Sequence, residues 1–599
     1  MTGFASTFLP TATQLLSLGG LAVVALCFST IGAALGGRDR LPEADLLVGW
    51  SLVAGLFTVA GGVFDASLTA VAVVAALMTV ASAVVLWRRR EPPVDGGNLA
   101  VLLWMLPLLI ATASMRPSQW DEFSQWLPNA RYLMLFDAFP GPGHPVSDSV
   151  FPGYPPAVTV IYYLVGRLIG QFTDTVAPWF NLLLLAGGAR LMVRLFRGDG
   201  AVGGAAAWGV LGVTVLGTTF VPKLVLSGYA DTATAVAVGF SAVLGLRLWE
   251  TGKTGGGWGR ALQFALVFAL LPMTKQGNFA LMGLLVLALA WESWRQGDEW
   301  GRHWMTLAAA LAPAAVATLA WRLHVASSGG DMSLRAVADW QWDLLPEILT
   351  SMRHVASAKG GYFGLGLVVV VLALWKRSEQ RLIPLFAFVF VGYNVFLLFV
   401  YLAILGGYES ANAASFWRYN THLGSLEMLV AALLAGQIRR RLGDRRSLSR
   451  AAVIFGGLAA IIVPFATQKY IRFDRQPTKM NALATIAEMA PLIPSDARLM
   501  LIDARGTGFF ANFTNYHLGF GRHVIGSVTA FNPGGPGAGV AALNPDFIWV
   551  RTVLPNTAAE LGLPLDETAS NLVAVENGTL RLVKSWPYPA NLDPASDKD

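Results

Sequence analysis

Two adjacent carboxylates, Asp121 and Glu122, stand in RPSQWDEFSQWLPNARYLMLFDAFPGPGHPVSDSVFPGYPPAVTVIYY (residues 116–163), flanked by Trp120, Trp126, Arg116 and Arg131. A carboxylate at a membrane surface can act as a general base, taking a proton from a hydroxyl as its oxygen attacks an electrophile. The same pair can instead cap the helix FSQWLPNARYLMLF, because acids favour a helix start. Asp231, in SGYADTATAVAVG, opens an apolar run and carries the same two readings, a cavity acid or a first-turn acid. Lys275, in LPMTKQGN, and Arg418, in FWRYNTHLGS, can each meet a phosphate or snorkel to headgroups. His422 follows Arg418 by one helical turn and reads as a ligand or as a satisfied hydrogen-bonding residue. Glu427 is the one acid expected below the membrane surface, serving an ion pathway or pairing with an arginine.

These residues must be positioned by membrane helices. Of 599 residues, 54% are hydrophobic and only 13% charged, and the mean hydropathy is +0.54. Ordinary soluble domains carry about 25% charged residues. The chain is therefore predicted to be an all-α polytopic membrane protein. Its formal charge of +6 comes from arginines clustered between apolar runs, which marks topology and argues against a nucleic-acid partner. No basic residue precedes the first run, so that run is expected to be a retained anchor and not a cleaved signal. Cys27 is the single cysteine and excludes a disulfide framework.

A membrane helix needs about 20 mostly apolar residues. Runs of this kind occur near 15–36, 46–64, 67–87, 98–115, 154–170, 176–195, 202–221, 230–249, 260–273, 277–293, 304–324, 361–375, 382–405, 420–437 and 451–467. Clusters such as Arg88 to Arg90, Arg190 with Arg194 and Arg197, Arg247 with Lys253 and Arg260, Lys376 with Arg377 and Arg381, and Arg439 to Arg441 with Arg445 and Arg446 mark cytoplasmic loops. The alternation holds only if 154–170 lies in the outer interface or re-enters. Its tyrosines, Pro155-Pro156 and Arg167 suit that placement. This predicts about 14 transmembrane helices with both termini outside. The outer loops then hold 116–171, KLVLSGYAD, TKQGN, a loop near 325–360 and GGYESANAASFWRYN, so the polar groups converge on one face.

Three regions follow: additional membrane helices over 1–97, a transmembrane core over 98–467 with its outer loop 116–171, and a small extracytoplasmic α/β domain over 468–599. In the last, RLMLID and FIWVR read as strands, MNALATIAEMAPLI as a helix, and VAVENGTLRLV as a hairpin turning at Asn577-Gly578. The GxG of Gly506 to Gly508 lacks the third glycine of a dinucleotide fingerprint. No zinc-ligand spacing, nucleophile elbow or Walker loop is present.

A DE pair after the first core span, the aromatic segment YPPAVTVIYYL, a YAD turn opening a span and a TK turn resemble, in that order, the C-type glycosyltransferases (the GT-C fold). The likeness is to bacterial members related to protein O-mannosyltransferases and to the lipid A aminoarabinose transferase. It covers about residues 98–295 and extends loosely to Phe416–Asn420. The resemblance implies an enzyme of the bacterial inner membrane that takes a sugar from a polyprenyl-phosphate carrier at the periplasmic face. The sugar passes with inversion to a lipid, glycan or protein acceptor. Asp121 would be the base, with Glu122 its neighbour or substitute, and Asp231 a second acid orienting acceptor or sugar. Lys275 and Arg418 would hold the carrier phosphate, and Arg131, Tyr154 and His422 complete the binding set. The 154–170 helix would line the entrance for the carrier tail. Relatives differ in needing a divalent cation, so that point stays open. Three spans precede the core here, and the YAD turn lacks the proline that often follows the acid in relatives. The rival readings are a flippase for lipid-linked sugars and a ligase or polymerase using a diphosphate-linked glycan.

Overall fold

A computed structural model describes residues 8–198, 202–248, 258–295, 300–326, 335–375, 380–442, 449–504, 507–522, 524–529, 535–554, 557–590 and 592–593. Lys253, Lys376, Arg377, Arg445, Arg446 and Gly506 of the sequence reading lie outside these. The chain divides into two compact units. One comprises residues 1–114, 132–145 and 153–471; the other comprises 115–131, 146–152 and 472–599. The first 97 residues thus share a unit with the helical core, and the 116–171 loop is divided between the two units.

Each of the fifteen apolar runs contains a helix, and all but 202–221 are helical over most of their length. Among the described residues, nine helices are long and apolar enough to cross a membrane. The number is ten if Val337–Ala358 and Gly360–Trp375, bent by 98°, form one span. Gly96–Thr112, Ala157–Ile169, Gly203–Val213, Trp258–Thr274 and Arg450–Ala466 are shorter apolar helices. Leu68–Arg89 shows how composition sets the environment: only 17% of its apolar window is buried, and Val73, Leu77 and Val80 are outward. A helix apolar on its outer face belongs in hydrocarbon.

Two segments depart from the simple picture. Ala157–Ile169 has 13 residues, about 20 Å, and falls short of a roughly 30 Å hydrocarbon core. It is largely buried, however, with Tyr162 and Tyr163 enclosed, so its tyrosines pack inward instead of facing headgroups. The run 202–221 is helical only to Val213. Thr214 returns its hydroxyl to the Val210 carbonyl, and Pro222 disfavours helix in the residue before it. Irregular backbone at membrane depth survives where protein buries it or where it lines a cavity. Here Thr218 donates to Glu427 Oε2 at 2.6 Å. Thr219 lies so close to Gly424 that a Cβ there would stand 2.0 Å from its hydroxyl.

Glu427 is buried as expected, but it is not the one enclosed acid: Glu43, Asp45, Asp231 and Glu292 are buried too. Spacing could not reveal this, because each of these four lies near a helix end where folding brings an arginine to it.

The second unit is an α/β domain. Its five-stranded sheet has the order β2-β1-β3-β4-β5, with β1 Leu499–Ile502, β2 Val524–Val528, β3 Phe547–Val550, β4 Ala569–Glu576 and β5 Thr579–Pro587. The first three strands are parallel and the last two antiparallel. Met500, Ile502, Val528, Ile548, Val550 and Val573 form its core. The β4–β5 hairpin turns at Asn577 and Gly578, both at positive φ (52° and 79°), as a two-residue type I′ turn demands. Strand β2 gave no sequence signal, and all of it but Val528 is only half-buried.

Candidate active site

In the helical unit, four of the sequence candidates meet. Asp231 begins helix Asp231–Leu248 and is 2% exposed. Its Oδ1 accepts from Arg418 Nε at 3.1 Å, from His422 Nε2 at 2.9 Å and from Lys275 Nζ at 3.5 Å, while Oδ2 accepts from Arg418 Nη2 at 3.0 Å. The carboxylate lies beneath the cations: the Lys275 and Arg418 side chains are 13% and 23% exposed. Asp231 therefore holds these cations in place.

Local sequence explains each position. Lys275 is extended (φ −159°, ψ 133°) between the end of helix Trp258–Thr274 and a short 3₁₀ turn. Asn278 fastens that turn, its Nδ2 donating to Thr234 Oγ1, Thr274 Oγ1 and the Leu271 carbonyl. Arg418 sits in helix Phe416–Asn420 after a kinked approach in which Ala413 and Ser415 take positive φ (44° and 62°). Left-handed non-glycine residues cost about 1–3 kcal/mol each and persist where surroundings force them. Tyr401 supplies that restraint, bonding the Ala414 carbonyl at 2.8 Å. The Arg418 guanidinium lies 4.3 Å from the centroid of Tyr229, a cation–π seat.

His422 is 2% exposed and occupied on both nitrogens. Nε2 faces Asp231, and Nδ1 meets the hydroxyl of buried Tyr393 at 2.9 Å. An Nε2–H donating to the carboxylate with a Tyr393 hydroxyl donating to Nδ1 is the arrangement that a neutral imidazole makes. Tyr393 was missed from sequence; a lone tyrosine inside an apolar run gives no pattern. Tyr154 is half-buried in the turn before helix Ala157–Ile169. The carbonyl of its neighbour Gly153 accepts from Gln276 Nε2 at 3.1 Å, which ties that turn to the residue beside Lys275.

Asp231, Thr232, Thr219 and Phe220 line a cavity of about 50 Å³, room for a water or two at roughly 30 Å³ each. Phe220 also lines a second, mainly apolar cavity of about 270 Å³ with Trp104, Val210, Pro464 and Tyr470. Residues 154–170 line neither, so the expected entrance along that helix is not where these cavities lie.

The α/β unit holds the other candidates. Asp121 is half-buried and precedes a wide turn, Glu122–Trp126, closed by Leu127 N–H to the Glu122 carbonyl. Such π-type turns are rare and frequent at functional sites. Glu122 is 2% exposed, and its Oε2 accepts the amides of Ser118 at 2.7 Å and Gln119 at 2.8 Å. That is the capping role of the pair, which makes Glu122 unsuited to replace Asp121 as a base. Trp120 Nε1 donates to the Thr507 carbonyl, and Phe123 packs among Phe509, Phe513 and Tyr516. Arg131 donates to the Tyr516 carbonyl at 2.8 Å and stacks 3.9 Å from that ring, so it anchors helix Phe509–Leu518. Near it, burial first, then Arg131 and Arg116, push the His517 imidazole down to about 4.

A divalent cation needs several oxygen ligands. Among the described residues, no three His, Cys, Asp or Glu side chains assemble into a metal site, and Asp231 is already taken by cations. Among the described residues, the Asp231 cluster therefore does not fit such an ion.

No family model matches the chain, and no curated protein matches it. Among solved structures it is similar to the archaeal oligosaccharyltransferase AglB from Archaeoglobus fulgidus in complex with an inhibitory peptide and a dolichol-phosphate. The two are 10% identical, with 83% of this chain and 75% of that chain covered and a TM-score of 0.43. The Archaeoglobus fulgidus oligosaccharyltransferase tethered with an acceptor peptide gives the same identity and coverage and a TM-score of 0.44.

Proposed function

We propose that this protein is a membrane glycosyltransferase of the GT-C type that moves a sugar from a polyprenyl-phosphate carrier to an acceptor at the extracytoplasmic face. The observation that carries this reading is the Asp231 cluster. One buried carboxylate stands against two partly exposed cations, Lys275 and Arg418, with His422 neutral. The cluster keeps one net positive charge, fixed before any ligand arrives. A preorganised cationic site stabilises charge that grows on a leaving group and needs no reorganisation to do so.

In the proposed reaction the acceptor hydroxyl attacks the anomeric carbon as Asp121 takes its proton. The bond from that carbon to the phosphate oxygen breaks, and its electron pair leaves with the phosphate, facing Lys275 and Arg418. Attack opposite the leaving group inverts the centre. Asp121 holds the base role by residue type and motif order, since Glu122 is occupied as a cap. The apolar cavity beyond Phe220 offers the carrier's first isoprene units a place beside the cavity that Asp231 lines. Orientation follows from charge: Arg194 and Arg197, Arg247, and Arg439 to Arg441 all lie in last turns of their helices, whereas Asp231 lies in a first turn. Basic ends favour the cytoplasm, which supports a reading with the Asp231 end outside.

The test is chemical. Lipid-linked sugars that accumulate in a strain lacking this protein are extracted and offered to the purified protein with envelope acceptors. Release of polyprenyl phosphate with a new glycoside is expected. If no lipid-linked sugar accumulates and none is consumed, the reading fails.

A further inference from the structure

A second site lies in the helical unit, far along the chain from Asp231. A largely apolar cavity of about 570 Å³ is lined by residues of helices Ala12–Gly36, Asp45–Phe64, Gly96–Thr112 and Ala177–Arg197. Along Gly96–Thr112 its lining runs from Asn98 to Leu109, about 16 Å at 1.5 Å per residue. That is about half of a roughly 30 Å hydrocarbon core, the depth of one leaflet. Leu99, Leu103 and Leu106 on this wall are outward-facing, so the cavity is a groove open to lipid.

Charge gathers at the Asn98 end of the groove. Glu43, which also lines it, has a fully buried side chain. Its Oε1 takes Arg190 Nε at 3.3 Å and Arg194 Nε at 2.7 Å. Arg190 reaches on to Asp95 at 2.6 Å. Its guanidinium fits because Gly97 has no side chain: a Cβ there would stand 2.8 Å from Nε. Three polar atoms of this pair remain buried and without a hydrogen-bond partner among the described residues: Glu43 Oε2, Arg190 Nε and Arg190 Nη1. An unmade hydrogen bond on a buried charged group is costly. An acceptor that lines the groove, with donors of opposite charge paired beside it, therefore stands where the apolar wall ends.

We infer that this groove binds a phospholipid whose headgroup carries a primary ammonium. One acyl chain lies along the leucines, the ammonium donates to Glu43 Oε2 and the phosphate accepts from Arg190. A trimethylated headgroup has no N–H to give, and an anionic glycerol headgroup meets a carboxylate. The groove therefore selects by headgroup, whereas its tail contacts accept any acyl lipid.

The test uses the full chain, delipidated in detergent and titrated with phosphatidylethanolamine, phosphatidylcholine or phosphatidylglycerol of matched acyl chains, with bound lipid read by native mass spectrometry. Phosphatidylethanolamine is expected to be retained about tenfold more tightly than the other two, as a charge-assisted hydrogen bond allows. Glu43→Gln should reduce it to the phosphatidylcholine level. Equal retention of the three lipids by the wild-type chain overturns the inference. Should Glu43→Gln fail to fold, Ala22→Trp tests the groove from its outward-facing side. That variant should fold and lose bound phosphatidylethanolamine, and unchanged retention would equally overturn the proposal.

Discussion

Asp231 and Arg418, 187 residues apart in sequence, meet side-on, with Nε on Oδ1 at 3.1 Å and Nη2 on Oδ2 at 3.0 Å. Two parallel bonds fix the plane of the guanidinium as well as its place. A lysine offers a point charge and cannot reproduce that fork. Arg418→Lys is therefore expected to keep the fold and to lose sugar transfer by about tenfold or more. Asp231→Asn leaves two cations beside a neutral amide and should cost about 3–5 kcal/mol of stability as well as activity. Thermal unfolding with initial rates separates the two variants; equal rates for Arg418→Lys and wild type would remove the fork from the mechanism.

Lys275 touches the same acid at 3.5 Å, a longer contact than those of Arg418 or His422. Its loss leaves Asp231 still paired. Lys275→Ala should therefore spare the fold and act on the carrier phosphate, raising the donor KM about tenfold while the acceptor KM stays constant. Kinetics with donor and acceptor varied in turn decide this, and an unchanged donor KM would count against the assignment.

How far sequence could go is visible in these residues. Each of the nine long apolar helices among the described residues overlaps one of the apolar runs, because a span written in hydrophobic residues has few alternatives. The Asn577-Gly578 turn was legible for a similar reason, since two consecutive positive φ angles demand those residue types. The site was legible only in part. Motif order pointed to Asp231, Lys275 and Arg418, but not to the depth of Asp231 beneath its partners, which depends on how three distant segments pack. Tyr393 was invisible because one hydroxyl among apolar neighbours has no period. The break after Val213 was hidden because threonine and glycine are tolerated in membrane helices, and the contact that holds it, Thr218 to Glu427, spans 209 residues.

Asp121 and Glu122 differ in what surrounds them, and this predicts opposite phenotypes. Glu122 receives two backbone amides, so Glu122→Ala should lower the stability of the 115–131 segment by about 1–2 kcal/mol. Asp121→Asn should leave stability intact and reduce transfer by about 10²–10⁴-fold, the usual worth of a positioned general base. Protease susceptibility of the segment reports the first effect and single-turnover transfer the second. Full transfer by Asp121→Asn would end its role as base.

His517 sets a pH dependence in the α/β unit. Burial, reinforced by Arg131 and Arg116, holds its imidazole down to about 4, against about 6.5 in an unfolded chain. Between those values the unfolded chain binds the proton and the folded one does not, so stability rises with pH across the window. Acidification from about 6.5 to 4 should thus weaken helix Phe509–Leu518 by roughly 2–3 kcal/mol, with no further contribution from this group below about 4. Hydrogen exchange of that helix, corrected for intrinsic rates, measures the slope. His517→Phe keeps the ring contacts with Phe513 and Phe123 and should flatten it; a slope unchanged by that substitution would assign the dependence to another group.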